Sequence, residues 1–249
     1  MSMKATARAH PIQGLVKYHG MRDPELRLPY HDSISVCTAP TNTTTTVEWL
    51  DDVDAEGGAQ DTYLIDGEEV DGRAAERIAM VVDHVRELAG FDHAVRFESA
   101  NSFPSNIGFG SSSSGFAAAA MALVEAAGLD MSHPEISTVA RRGSSSAARA
   151  VTGAFSHLYA GLNDEDCRSY RLDSDLEDDL KIVAAHVPSY KETEEAHKEA
   201  AESHMFQARV AHIPDQIVEM RDALREASFE RVFELAEHDS LSLTAATMT

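Results

Sequence analysis

The chemistry in this chain is densest at Phe103-Pro-Ser-Asn-Ile-Gly-Phe-Gly-Ser-Ser-Ser-Ser-Gly115, a glycine- and serine-rich stretch that opens directly onto Phe116-Ala-Ala-Ala-Ala-Met-Ala-Leu-Val-Glu125. The second segment is apolar on nearly every side, so as a helix it must be buried. The first amides of such a helix have no partner within it, the helix dipole is positive there, and glycine lets an anion approach the backbone closely. Serine hydroxyls add donors to phosphate and ligands for Mg²⁺. The segment is neither a G-x-x-x-x-G-K-[ST] loop nor a clean G-x-G-x-x-G fingerprint. Read alone, such a stretch is more often a flexible connection or a capped helix than a nucleotide site.

The elements that must hold this loop follow from hydrophobic period. Ser33–Thr38 alternates like a half-buried strand, and Tyr63-Leu-Ile ends at the turn pair Asp66-Gly67. The acidic, glycine-bearing stretch Asp51–Gln60 reads as a hairpin tip. Apolar residues from Ala75 to Leu88 recur at three- and four-residue spacing before Gly90, which predicts an amphipathic helix with a glycine stop, and a strand follows at His93–Glu98. Helical patterns return at Pro134–Arg142 and near Ala147. Ile182–Val187 is a continuous apolar run suited to an interior strand. Helices are expected over Thr193–Arg209 and from Asp215 onward, giving a mixed α+β fold without internal repeats.

Composition limits the partners. The formal charge is −21, from 42 acidic against 21 basic residues, and the only lysines are Lys4, Lys17, Lys181, Lys191 and Lys198. That balance repels nucleic acid and anionic lipid and reads as a salt-adapted surface. Cys37 and Cys167 lack any metal-ligand spacing, so free thiols are expected. No apolar stretch is long enough to span a bilayer, and the N-terminus lacks the order of a signal peptide, so a cytoplasmic protein is expected.

The glycine–serine loop resembles the phosphate loop of the GHMP superfamily, P-x-x-x-G-L-x-S-S-A-A, through Pro104, Gly108, Phe109, Ser111 and Ser112, with Phe in place of Leu and Ser in place of the alanines. Val16-Lys-Tyr-His-Gly-Met-Arg-Asp23, Leu28-Pro29 and Ser33-Ile-Ser-Val36 are similar to the opening segments of mevalonate diphosphate decarboxylases. The most specific match is Ala140-Arg-Arg-Gly-Ser-Ser-Ser-Ala-Ala-Arg149, which resembles that family's A-R-x-G-S-G-S-A-C-R. Ser203–Val210 and the segment from His238 extend the likeness over nearly the whole chain.

This resemblance implies a two-lobed GHMP kinase-type fold: a ribosomal-protein-S5-like lobe, expected over residues 1–178, and a ferredoxin-like lobe over 179–249 that is incomplete. It implies ATP and Mg²⁺ as cofactors, with Asn106, Gly108, Gly110, Ser111, Ser112 and Ser113 contacting the nucleotide. Tyr18, His19, Gly20, Met21, Ser144 and Arg149 would bind a phosphorylated mevalonate. Arg149 would orient the leaving carboxylate, because a planar guanidinium matches a carboxylate with two parallel hydrogen bonds. Lys17 would neutralise phosphate charge, and Ser146 would contact substrate or ATP. A homodimer is admitted as a further partner. Met21 stands where resembling enzymes carry a lysine, and Glu192, near Glu194 and Glu195, stands in place of a serine. Both changes disfavour a second phosphate, so the expected substrate is mevalonate 5-phosphate, as in haloarchaeal phosphomevalonate decarboxylases. The catalytic Asp of the family has no counterpart here, and Leu241–Thr249 reads as the middle of a helix, so a sequence that continues further is expected. The alternatives are turnover of the 5-diphosphate, a kinase that stops after phosphorylating the C3 hydroxyl, and a silent GHMP-fold binding protein.

Overall fold

The computed structural model describes residues 3–50, 60–104, 108–185 and 200–248. Two sheets carry the fold. The first has the order β1 (Lys4–Ala9), β6 (Thr43–Leu50), β9 (Ala94–Asn101), β7 (Thr62–Ile65) and β8 (Glu68–Glu69). Its pairs are antiparallel except β7 with β9, which is parallel. In β6 the sequence Thr-Thr-Thr-Thr-Val-Glu-Trp-Leu alternates strictly between buried and half-buried positions, as a strand with one covered face must. The second sheet has the order β11 (Ser169–Leu172), β10 (Phe155–Leu158), β5 (Ser33–Cys37) and β2 (Ile12–Val16), all antiparallel. A short hairpin, β3 (Met21–Asp23) with β4 (Leu28–Pro29), projects beside it.

Helices close both sheets. α1 (Gly72–Ala89) buries Ile78, Val81, Val82 and Val85 and ends on Gly90, whose left-handed φ of 72° fits the glycine stop. α2 (Ser111–Ala126) buries its alanines against β1 and β6 within one core that includes Val47, Trp49 and Phe97. Alanine is what allows the helix to lie close to the sheet. α3 (His133–Gly143) starts with a full capping box between Ser132 and Glu135 and packs on α1, α2 and α4. α4 (Ala147–Thr152) joins α2 to the second sheet, whose other core is shared with α5 (Phe206–Arg225) and α6 (Phe229–Thr247).

Two expectations change. Ile182–Ala185 forms no strand: these residues are exposed, Val183 at 93%. Residues 186 and 187 of that run, like 51–59 of the expected hairpin tip and 193–199 of the expected helix, lie outside the described residues. α5 runs unbroken through Pro214, where a break was expected. A proline inside a helix costs about 3 kcal/mol, which the burial of Ile213, Ile217 and Met220 offsets at roughly 1.5–3 kcal/mol per side chain. Both cysteines are free, as expected.

Candidate active site

Gly110 caps α2 in the left-handed conformation, φ 81° and ψ 31°, and no side-chain hydrogen bond caps the helix start among the described residues. The loop is braced from behind. The Ser113 hydroxyl donates to the Gly110 carbonyl at 2.6 Å and accepts the Ile12 amide at 3.2 Å, while Ser114 Oγ meets Thr43 Oγ1 at 2.6 Å. Both serines are buried, at 1% and 0% exposure, whereas Ser111 is half-buried and Ser112 exposed. The four consecutive serines therefore divide by helical period: Ser113 and Ser114 fasten the loop to β2 and β6, and Ser111 and Ser112 are left accessible at the helix start. A cavity of about 410 Å³ adjoins the loop, lined by Gln13, Gly108, Phe109 and Ile182–Ala185. Asn106 lies outside the described residues, as do Glu192, Glu194 and Glu195.

A second candidate group is built on the turn between α3 and α4. Ser144 and Ser146 face each other, Oγ to Oγ at 3.0 Å. Arg149, in α4, is 3% exposed, and its Nε and Nη1 have no hydrogen-bond partner among the described residues. Its guanidinium lies 5.4 Å from the centre of the buried Tyr18 ring. Burial pushes the Arg149 pKa down to about 10. It also raises Tyr18, against the opposing pull of Arg149 and a hydrogen bond with Ser145. The Arg149 carbonyl is held by Ser156 Oγ at 3.0 Å and Thr152 Oγ1 at 3.3 Å, and Thr152 Oγ1 meets Ser169 Oγ at 2.7 Å. A buried, charged donor without an acceptor is costly and points to a ligand anion.

The segment around Tyr18 is fixed from two directions. Arg209 and Asp239, 2% and 1% exposed, pair at 2.7 Å between α5 and α6. The Asp239 carboxylate accepts the Lys17 amide at 2.8 Å, and Arg209 donates to the Lys17 carbonyl at 2.8 Å. Asp239 thus ties down the backbone, while the Lys17 side chain is exposed. Gly20, at φ 76°, packs where a Cβ would lie 2.8 Å from Phe206, so the close approach admits only glycine. Met21 opens β3, and His19 is half-buried.

The structure also assembles residues that sequence reasoning did not single out. Arg27, in the β3–β4 turn at φ 53°, has its carbonyl held by Ser145 Oγ at 2.8 Å, and the preceding Leu26 carbonyl takes a hydrogen bond from the fully buried Arg141. Arg77, on α1, donates Nε and Nη2 to the Gly143 carbonyl at 3.2 and 2.6 Å and stacks 4.9 Å over Phe116. Arg73 lies one turn earlier on the same helix. Elsewhere, Asp32 accepts His157 Nε2 at 2.9 Å and the Ala160 amide at 2.8 Å. Among the described residues no group of three or more His, Cys, Asp or Glu side chains could hold a metal, and no helix is long and apolar enough to cross a membrane.

Two sheets, a buried alanine-rich helix opened by a glycine–serine loop, and a buried arginine on the neighbouring short helix make an α+β fold of the kind the GHMP resemblance implies. The sequence model of the diphosphomevalonate decarboxylase-like N-terminal domain matches residues 9–169. The phosphomevalonate decarboxylase of Haloferax volcanii is 75% identical over 99% of this chain and 75% of its own length. The crystal structure of mevalonate diphosphate decarboxylase from Staphylococcus aureus superposes with a TM-score of 0.87 at 31% identity, covering 100% of this chain and 75% of that one. A solved complex with MVAPP, AMPPCP and magnesium gives a TM-score of 0.85 at 26% identity over 98% of this chain and 75% of that one. The chain belongs to the diphosphomevalonate decarboxylase-like family.

Proposed function

We propose that this protein carries out ATP-dependent decarboxylation of mevalonate 5-phosphate, giving isopentenyl phosphate, ADP, phosphate and carbon dioxide, in the cytoplasm. The observation that carries the reading is the buried Arg149 guanidinium beside Tyr18, with two nitrogens unpartnered among the described residues, on the helix that follows the Ser144–Ser146 pair. Such a group supplies what the substrate carboxylate needs: a planar, permanently charged donor in a water-poor site, where hydrogen bonds to an anion are strongest.

The nucleotide end has the complementary character. The open start of α2, with Ser111 and Ser112 accessible and Gly108 and Gly110 at positive φ, suits a triphosphate. The adjoining cavity of about 410 Å³ offers room for part of the nucleotide. Mg²⁺ would be held by the Ser111 and Ser112 hydroxyls together with phosphate oxygens, and these accessible oxygen donors are of the kind Mg²⁺ takes. Bound Mg·ATP supplies the phosphoryl group that turns the tertiary C3 hydroxyl into a leaving group. The protein's share is position and field: Arg149 fixes the carboxylate, Ser144 and Ser146 bind beside it, and Lys17, exposed on an anchored backbone, neutralises phosphate charge.

The preference for one phosphate rests on Met21, which places no cation at the start of β3, and on the higher identity to the Haloferax phosphomevalonate decarboxylase than to the Staphylococcus aureus diphosphate enzyme. The test is turnover with Mg·ATP at high salt, comparing mevalonate 5-phosphate with the 5-diphosphate. A clear preference for the monophosphate is expected; equal or better use of the diphosphate would sink the assignment.

A further inference from the structure

The backbone of Arg149 is fixed at both ends, although the helix that carries it is short. α4 spans six residues, Ala147–Thr152, a length at which a helix depends on its surroundings for stability. The Arg149 amide donates to the Ser146 carbonyl at 3.2 Å, and the Arg149 carbonyl accepts the Gly153 amide at 3.1 Å. The same carbonyl takes a further donor from the second sheet, Ser156 Oγ of β10 at 3.0 Å. Arg149 Nε and Nη1 have no hydrogen-bond partner among the described residues. The direction of the guanidinium therefore follows from its own backbone and from the Tyr18 ring 5.4 Å away.

Ser156 is the end of a chain of buried hydroxyls, and the direction of that chain follows from counting protons, since each hydroxyl has one hydrogen to give. Ser156 Oγ donates to the carbonyls at the end of α4, that of Arg149 at 3.0 Å and that of Gly153 at 2.5 Å. Thr152 Oγ1 donates to Ser156 Oγ at 3.0 Å, which leaves Ser169 Oγ, 2.7 Å away, as the donor to Thr152. The Ser169 amide is anchored in turn on Ser137 Oγ of α3 at 2.9 Å. All four side chains are buried. α3, β11, α4 and β10 are thus joined through hydroxyls to the peptide that carries Arg149. A buried polar network with its members satisfied rigidifies the structure around it. An alanine at 156 would leave the Gly153 amide on the Arg149 carbonyl, so the Ser156 hydroxyl governs the direction of the peptide more than the existence of the helix.

We propose that Ser156 is a positioning residue for Arg149: through the Arg149 carbonyl, with Thr152 and Ser169 behind it, it sets how the guanidinium meets the substrate carboxylate. This rests on the functional reading above. A guanidinium binds a carboxylate with two parallel hydrogen bonds only when the two planes are aligned, so a small rotation of the peptide that carries it loses one of the two. Ser156 acts through Arg149, its own hydrogen being committed to the α4 carbonyls.

The experiment is a double-mutant cycle read by calorimetric titration with mevalonate 5-phosphate, in the presence of Mg²⁺ and AMPPCP at fixed salt. Ser156→Ala should weaken binding about tenfold where Arg149 is present, roughly what one hydrogen bond to a charged group contributes. In the Arg149→Met background the same change should weaken binding by less than about twofold, because the group that Ser156 directs is gone. Ser156→Thr keeps the hydroxyl and should restore most of the affinity. Ser169→Ala, at the far end of the chain, should weaken binding to a smaller extent and again only where Arg149 is present; it takes the place of Ser156→Ala in the cycle if that variant does not fold. A hydroxyl that merely supports the fold would lower affinity alike in both backgrounds, and that result, or unchanged affinity in Ser156→Ala, would overturn the assignment. Binding by Arg149→Met as tight as by the wild-type protein, or no binding by the wild-type protein, would overturn the functional reading and the assignment with it.

Discussion

Replacing Arg149 with methionine should make the free protein more stable while removing its hold on substrate. The side chain is 3% exposed, and burial lowers its pKa to about 10. A depression of that size corresponds to roughly 3 kcal/mol of destabilisation of the charged form. The sign is that of a basic group whose folded pKa lies below its unfolded value: the cost is present throughout the neutral range and is relieved only as pH rises through about 10. Stacking on Tyr18 at 5.4 Å returns about 1 kcal/mol of it. Methionine fills a similar volume without the charge, so Arg149→Met should gain about 2 kcal/mol, or roughly 4–8 °C in Tm for a chain of this size. Differential scanning calorimetry at neutral pH reads the stability, and steady-state kinetics with mevalonate 5-phosphate should show kcat/KM down by about a hundredfold or more. A lower Tm with substrate turnover intact would refute the reasoning, because Arg149 would then be a structural group.

Other perturbations probe the supports of the site. Asp239→Ala leaves Arg209 buried and uncompensated and frees the Lys17 amide, so urea denaturation should show a loss of about 3–5 kcal/mol. Gly110→Ala places a Cβ 3.3 Å from the Ile12 carbonyl at a φ of 81°; KM for ATP should rise about tenfold with a smaller change in kcat, at a strain of about 1–2 kcal/mol. Burial pushes the Asp32 carboxyl up, but the His157 hydrogen bond, the Ala160 amide and nearby positive charge outweigh it and hold the pKa below the ordinary value. Its stabilising contribution is therefore present above about pH 4 and lost as pH falls further, so acid titration of Tm should be flatter below about pH 4 in Asp32→Asn.

Much of this architecture was legible because period and composition act locally. The α1 apolar spacing and the glycine stop, the buried alanine helix and the α3 cap all follow from residues within a few positions of one another. What escaped depends on distant partners. β6 is half threonine, and its identity as a central strand comes from β1 and β9 on either side. Ile182–Ala185 has the composition of an interior strand, but no ladder pairs with it among the described residues. In the site, the run Ser111–Ser114 announced phosphate chemistry, yet only packing against Ile12 and Thr43 separates the two bracing hydroxyls from the two accessible ones. The signature ending in Arg149 was readable from its own residues. Arg27 and Arg77 were not, since nothing in the sequence brings the β3–β4 turn and α1 to the same serine turn. One signal was available: Arg73 and Arg77 lie four apart on one face of a helix, in a chain with twice as many acids as bases.

The central claim is that phosphorylation leads on to loss of the carboxylate, and the most direct test is the molar ratio of carbon dioxide to ADP released from mevalonate 5-phosphate and Mg·ATP. A one-to-one ratio, with release of both products falling together in Arg149→Met, is the predicted result. ADP without carbon dioxide would make the protein a kinase, and release of neither by a folded protein that binds both ligands would contradict the catalytic account.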